Sequence, residues 1–141
     1  MREILFKAKR KNWHELSEEE WWIEGYPVKY QPCASKNEYV YGIVPTYASA
    51  LYIIEIDPET LCQYIGKNDK NGKLIWENDI IRVENSIDEG TGMVEFYGGM
   101  WYVDKGVNNS LYDIMLYDDE AEVCVMGNIF DNPELLGQDG G

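Results

Sequence analysis

Short apolar runs, each closed by a polar turn, recur along this chain and read as β-strands. Near the start, Ile4, Phe6 and Ala8 fall on one face. Glu3, Lys7 and Lys9 fall mostly on the other, with Leu5 as the exception. Ser17 and Glu20 have the spacing of a helix capping box, ahead of Trp21-Trp22-Ile23. Gly25 and Pro27 follow too closely for a helix to run on. The pattern therefore predicts a loop leading into an extended segment over Trp22–Tyr30. Residues 31–37 read as a polar loop. Residues 38–44 and 50–56 are β-rich. Asp57-Pro58-Glu59-Thr60 reads as a turn, with proline at its second position.

Beyond that turn the predicted elements shorten. A strand over 61–65 precedes Asn71-Gly72, two residues that both tolerate positive φ, and then residues 74–76. Glu77-Asn78-Asp79 turns the chain into a strand over 80–84, and residues 85–92 read as a loop. Gly98-Gly99 marks a hairpin between 92–97 and 100–104. Residues 105–110 read as loop, 111–117 as β-prone, and 118–120 as an acidic loop. A strand over 122–126 leads to a closing segment. There Asn132 and Pro133 suit the cap and first turn of a short helix. Residues 137–141 read as a frayed tail. Many short strands with glycine-rich turns predict a mainly-β protein, a small barrel or sandwich with at most short helical turns.

Charge divides the chain. Across 141 residues the net charge is −14, with 12 Lys and Arg against 26 Asp and Glu. Residues 1–57 carry seven basic and nine acidic side chains, and residues 58–141 carry five and seventeen. The second part would repel a phosphate backbone, so a protein partner, basic in character, is expected ahead of nucleic acid. The composition change makes the turn at Asp57-Pro58 the expected boundary between 1–58 and 59–136. The one basic cluster is Lys7, Lys9, Arg10 and Lys11, followed by Trp13, Trp21 and Trp22. Those residues, with Trp101, are the candidate partner-binding set. Stacking and phosphate contacts from the same residues are the alternative, single-strand nucleic-acid binding. Pairing of exposed strands between subunits is a further alternative.

No catalytic set is expected. His14 is the single histidine and stands in a charged stretch with no Ser or Cys near it in sequence. Cys33, Cys62 and Cys124 have neither the number nor the spacing of a disulfide framework or a zinc site. Asp69, Asn71 and Gly72 fit three positions of a calcium loop. Lys67 stands where the first carboxylate is needed, so the segment reads as a β-turn. Glu77 and Asp79 are expected to hold backbone N–H groups of their turn. No metal or cofactor is expected. No apolar run is long enough to span a membrane, and the first residues lack a signal-peptide pattern, so the cytoplasm is the expected compartment.

The chain resembles the YopX-like family of phage and prophage proteins. The resemblance rests on five pieces in order. They are Met1-Arg2-Glu3-Ile4-Leu5-Phe6-Lys7-Ala8, Trp22-Ile23-Glu24-Gly25-Tyr26, Asp57-Pro58-Glu59-Thr60, the run from Gln63-Tyr64 to Asp79-Ile80, and Val125 through Leu135. Its structural motif positions here are Gly66, Asp69, Gly72, Glu77, Asp79, Gly127, Asn128 and Pro133. The chain departs from the pattern at Ile65, where Thr is usual, and at Asn78, where Gly is usual. Asparagine is the next-best residue for a left-handed turn. The resemblance implies an SH3-like barrel over 59–136, with strands of 1–58 packing on it or on a neighbouring subunit. It implies a bacterial host cell as the setting and no established chemistry.

Overall fold

A computed structural model describes residues 3–32, 37–47, 52–84, 89–104 and 121–137. The protein is mainly β, with ten strands, three single-turn 3₁₀ segments and one short helix among these residues. Contacts group it into two units, residues 1–63 and 64–141, so the division falls inside a strand, after Gln63.

In the first unit, β1 (Phe6–Lys9), β2 (Trp22–Tyr30), β3 (Val40–Pro45) and β4 (Ile54–Glu55) pair antiparallel in that order. The first residues of β5 (Cys62–Asn68) pair with the other edge of β1. Register sets Ala8 opposite Ile23 and Pro27 opposite Ile43. Ala8, Ile23 and Ile43 form the core of this unit with Ile56, and Ile54 and Leu61 pack against them. Burying each of the three isoleucines contributes about 1.5–3 kcal/mol. An isolated bridge joins Arg10 to Ile56. The Lys11 N–H donates to the Glu55 carbonyl at 3.0 Å, and the Asp57 N–H to the Lys9 carbonyl at 2.9 Å. The sheet thus curls so that the end of β1 meets the segment after β4. Asp57 caps the 3₁₀ turn Pro58–Thr60, accepting from the Glu59 N–H at 3.2 Å.

In the second unit, the rest of β5 pairs with β6 (Leu74–Trp76). β7 (Asp79–Glu84), β8 (Glu89–Tyr97), β9 (Met100–Asp104) and β10 (Glu122–Asn128) form an antiparallel sheet ordered β10-β7-β8-β9. Its core joins Ile65, Ile75, Ile81, Val83, Val94, Trp101, Val103 and Val123. Among the described residues β9 and β10 are not paired with each other, so the ladder is open rather than a closed barrel. The short helix α1 spans Glu134–Gly137.

Several sequence expectations are corrected. Leu5, not Ile4, is buried. β1 begins only at Phe6, so the alternation does not extend back through residues 4 and 5. The expected loop over 85–92 is shorter, because Glu89–Gly92 already pair with β7. Arg82 reaches Glu89 at 2.8 Å, and pairing overrides the weak strand propensity of Gly90-Thr91-Gly92. β10 runs on to Asn128 through a bulge at Met126, whose side chain turns outward. Asn132 does not spend its side chain on α1. Its amide oxygen accepts from the Asn128 N–H at 3.3 Å. Of the strand expected over 50–56, β4 keeps Ile54 and Glu55. The expectations over 105–120 and at Cys33 lie outside the described residues.

Asn78 holds φ at +71°, the one non-glycine in the left-handed region among the described residues. Asn78→Ala is expected to cost about 1–2 kcal/mol. Asn78→Gly should be close to neutral, a contrast that thermal melts of both variants check.

Candidate functional site

The end of β1 presents Lys7, Lys9, Arg10 and Lys11 in succession, and two 3₁₀ turns, Trp13–Glu15 and Glu18–Glu20, return the chain to β2. Ser17 occupies the cap position of the second turn without a side-chain bond to it. The Trp21 indole N–H instead fixes the loop by donating to the Leu16 carbonyl at 2.9 Å. Trp13 and Trp21 meet edge to face with centroids 5.1 Å apart.

These turns bring together most of the residues singled out from sequence, and the result is a cage. Lys9 pairs with Trp22 across the β1–β2 ladder, so both point to the same outer face. Its ammonium lies 3.8 Å from the Trp13 ring centroid, 4.3 Å from Trp21 and 5.6 Å from Trp22. Lys9 is 1% exposed. Its N–H donates to the Thr60 hydroxyl at 2.8 Å. A cation over several desolvated indole faces is held by each ring quadrupole.

Lys9 is therefore not a surface cation, and the tryptophans that sequence reading offered for stacking are turned toward it. Lys7 sits 4.5 Å over Trp22. Arg10 donates through Nη1 to the Glu20 carbonyl at 2.6 Å. Lys11 is exposed and pairs with Glu55 at 3.1 Å. Trp101 is buried in the second unit's core, with Phe96 against it, and is removed from the surface set. His14 lies against Trp13, centroids 3.6 Å apart.

Lys9→Met keeps the stem volume and loses the charge. We expect a loss of about 1–2 kcal/mol in stability and a changed tryptophan emission spectrum. Lys9→Glu, which sets a carboxylate against ring faces, should be worse. Urea titration followed by fluorescence orders the three proteins.

The surface that remains open lies further along the same sheet face. Tyr26, Val28 and Tyr30 alternate outward along β2, and register sets Val44, Gly42 and Val40 opposite them. Tyr26 is 51% exposed and Tyr30 38%, and the three valines are half-buried. Gly42 leaves room for Ile53, which lies over it from beside β4. Sequence reading did not single out this strip. The alternation Tyr26, Val28, Tyr30 is a visible signal, but residues 22–30 hold apolar side chains on both faces, so the inner face cannot be told from the outer.

The motif residues hold turns. Asp69 is buried, and its Oδ1 accepts from the N–H groups of Asn71 and Lys73, both at 2.8 Å. Its Oδ2 accepts from the Val125 N–H at 3.0 Å, docking the turn on β10. Burial pushes the carboxyl pKa up, but the three N–H donors and the Lys73 charge outweigh it and leave it lowered. Gly66 and Gly72 have positive φ. Asp79 is buried and accepts from the Trp76 N–H at 2.9 Å, while Glu77 stands half-buried in the same turn. Asn128 Oδ1 accepts from the N–H groups of Phe130 and Asp131, both at 2.9 Å. A Cβ on Gly127 would strike the Asn132 side chain. Pro133 is exposed and leads into α1.

Among the described residues no three His, Cys, Asp or Glu side chains are grouped to hold a metal ion. Among them, too, no helix is long and apolar enough to cross a membrane.

Two small antiparallel β units, with motif residues committed to turns and an aromatic sheet face left open, define a mainly-β protein whose distinctive feature is surface. The chain belongs to the YopX protein family, which it matches over residues 7–137. It is also similar to the crystal structure of protein EF1440 from Enterococcus faecalis. There the TM-score is 0.58 at 21% identity, over 96% of this chain and 99% of that one, a likeness of fold. No curated protein matches the chain.

Proposed function

We propose that this chain is a non-enzymatic protein of a phage or integrated element that works by binding another protein in the bacterial cytoplasm. The observation that carries this reading is the open strip of Tyr26, Val28, Tyr30, Val40, Val44 and Ile53. Contiguous apolar patches rimmed by polar groups mark interaction sites, and tyrosine is enriched there. The net charge of −14 favours a partner with a basic rim around its apolar contact. The nucleic-acid alternative has less support. Lys9 is caged, Lys11 is paired and Arg10 is tied to a carbonyl, which leaves few cations ready for phosphate.

The test is a pull-down from nuclease-treated host lysate, at low and moderate salt, with the wild-type chain and the Tyr26→Ser/Tyr30→Ser variant. One basic protein retained at both salts by wild type, and lost from the folded variant, is expected. Equal retention by both chains would remove the strip from the account. A turnover activity lost on changing Glu77 or Asp79 would overturn the non-enzymatic reading.

A further inference from the structure

The first unit also carries a cleft of about 450 Å³, lined by Arg10, Asn12, Leu16, Glu20, Tyr52 and Ile54. It is separate from the tyrosine strip and needs no part of the proposed function. Arg10 stands just past β1, Asn12 and Leu16 flank the first 3₁₀ turn, Glu20 ends the second, and Tyr52 and Ile54 come from the β4 side. Ile54 packs on the unit's core as well, so one wall of the cleft is continuous with that core. The cleft thus opens where the curled sheet ends, beside the Arg10–Ile56 bridge.

Its charges are arranged in an unusual way. Arg10 and Glu20 both line it, yet no side-chain ion pair joins them. The guanidinium donates through Nη1 to the Glu20 backbone carbonyl at 2.6 Å instead. That bond orients the guanidinium and leaves its other N–H groups for a ligand. The Glu20 carboxylate is exposed and accepts no hydrogen bond from the described residues. A simple anion would be drawn to Arg10 and repelled by Glu20. A simple cation would meet the reverse. A ligand that carries both charges close together satisfies both walls.

We propose that this cleft binds a small zwitterion of the α-amino-acid class with an apolar or aromatic side chain. The ligand carboxylate takes the free edge of the Arg10 guanidinium in a paired hydrogen bond. Its ammonium donates to the Glu20 carboxylate, and Asn12 offers an amide beside them. The side chain lies against Leu16, Ile54 and the Tyr52 ring. The volume falls within the range of small-ligand sites.

The test is a titration of the full chain, followed by amide chemical shifts, with L-phenylalanine, L-leucine, N-acetyl-L-phenylalanine and phenethylamine. The acetylated probe keeps the carboxylate and loses the positive charge, and the amine does the reverse. Saturable shifts at residues 10–20 and 52–54 are expected with the two amino acids. Loss of either charge should weaken binding about tenfold or more. Glu20→Gln should do the same to the amino acids while leaving the fold intact, since Glu20 is exposed. Arg10→Gln is the companion variant. Should it fail to fold, Glu20→Gln and the probe series still decide. No saturable shift with either amino acid would overturn the proposal, as would equal binding of the acetylated probe.

Discussion

Replacing Asp69 with asparagine is expected to cost about 2–4 kcal/mol, because a charged acceptor of three backbone N–H bonds is lost. An asparagine oxygen can still face the N–H groups of Asn71 and Lys73. Its NH₂ group must then face the Val125 N–H, donor against donor, and the tie between the turn and β10 opens. The same residue shapes the acid limb of the stability curve. Its folded pKa lies below the unfolded value, 3.8. Between the two values the unfolded chain binds more protons. The contribution is therefore fully present above the unfolded pKa and is lost as pH falls through the folded one. Urea midpoints from pH 7 down to pH 2 should fall along this limb in the wild type. They should fall less in Asp69→Asn, which starts lower. An unchanged acid limb would remove Asp69 from the account.

Gly25→Val is expected to be the most damaging single change in the first unit. A Cβ at this position would overlap the Val44 carbonyl oxygen and lie 2.7 Å from Ile43 Cγ2 and 2.8 Å from the Val44 carbonyl carbon. The obstacle is mostly backbone, so no side-chain rotation relieves it. β2 and β3 must separate where Gly25 faces Pro45. A loss of roughly 3 kcal/mol or more is expected, at the upper end for overpacking. Since Tyr26, Val28 and Tyr30 are displayed by this same pairing, the variant should lose partner capture along with stability. Denaturant titration with tryptophan fluorescence measures the first loss. A variant as stable as wild type would show that β3 can shift away at little cost.

Much of the fold was legible, and the reasons are local. β2 and β6 fall at the residues the pattern predicted, since each is bounded by turn chemistry the sequence shows. The Gly98-Gly99 hairpin is equally plain, because both glycines adopt positive φ. The aromatic-Gly-aromatic strand carried the family resemblance without its reason. The reason is the close approach of β3, a tertiary fact no local pattern contains. Non-local pairing also explains the misplaced start of β8 and the exposure of Ile4. The candidate site was half legible. Lys7, Lys9, Trp13, Trp21 and Trp22 do come together, but sequence cannot say whether a lysine beside tryptophans points to solvent or into their rings. That depended on two 3₁₀ turns folding over β1. The tyrosine strip and the Arg10–Glu20 cleft were hidden for the same cause. Register decides which face of the strip is open, and the cleft joins the 3₁₀-turn segment to residues beside β4 that are distant in sequence.

The most direct test of the interaction reading places a photo-crosslinking phenylalanine analogue at position 30, and for comparison at exposed Glu59, in the chain expressed in host cells. The account predicts one crosslinked host or phage protein at position 30 and none of it at position 59. Crosslinks at both positions alike, or none at position 30, would contradict it.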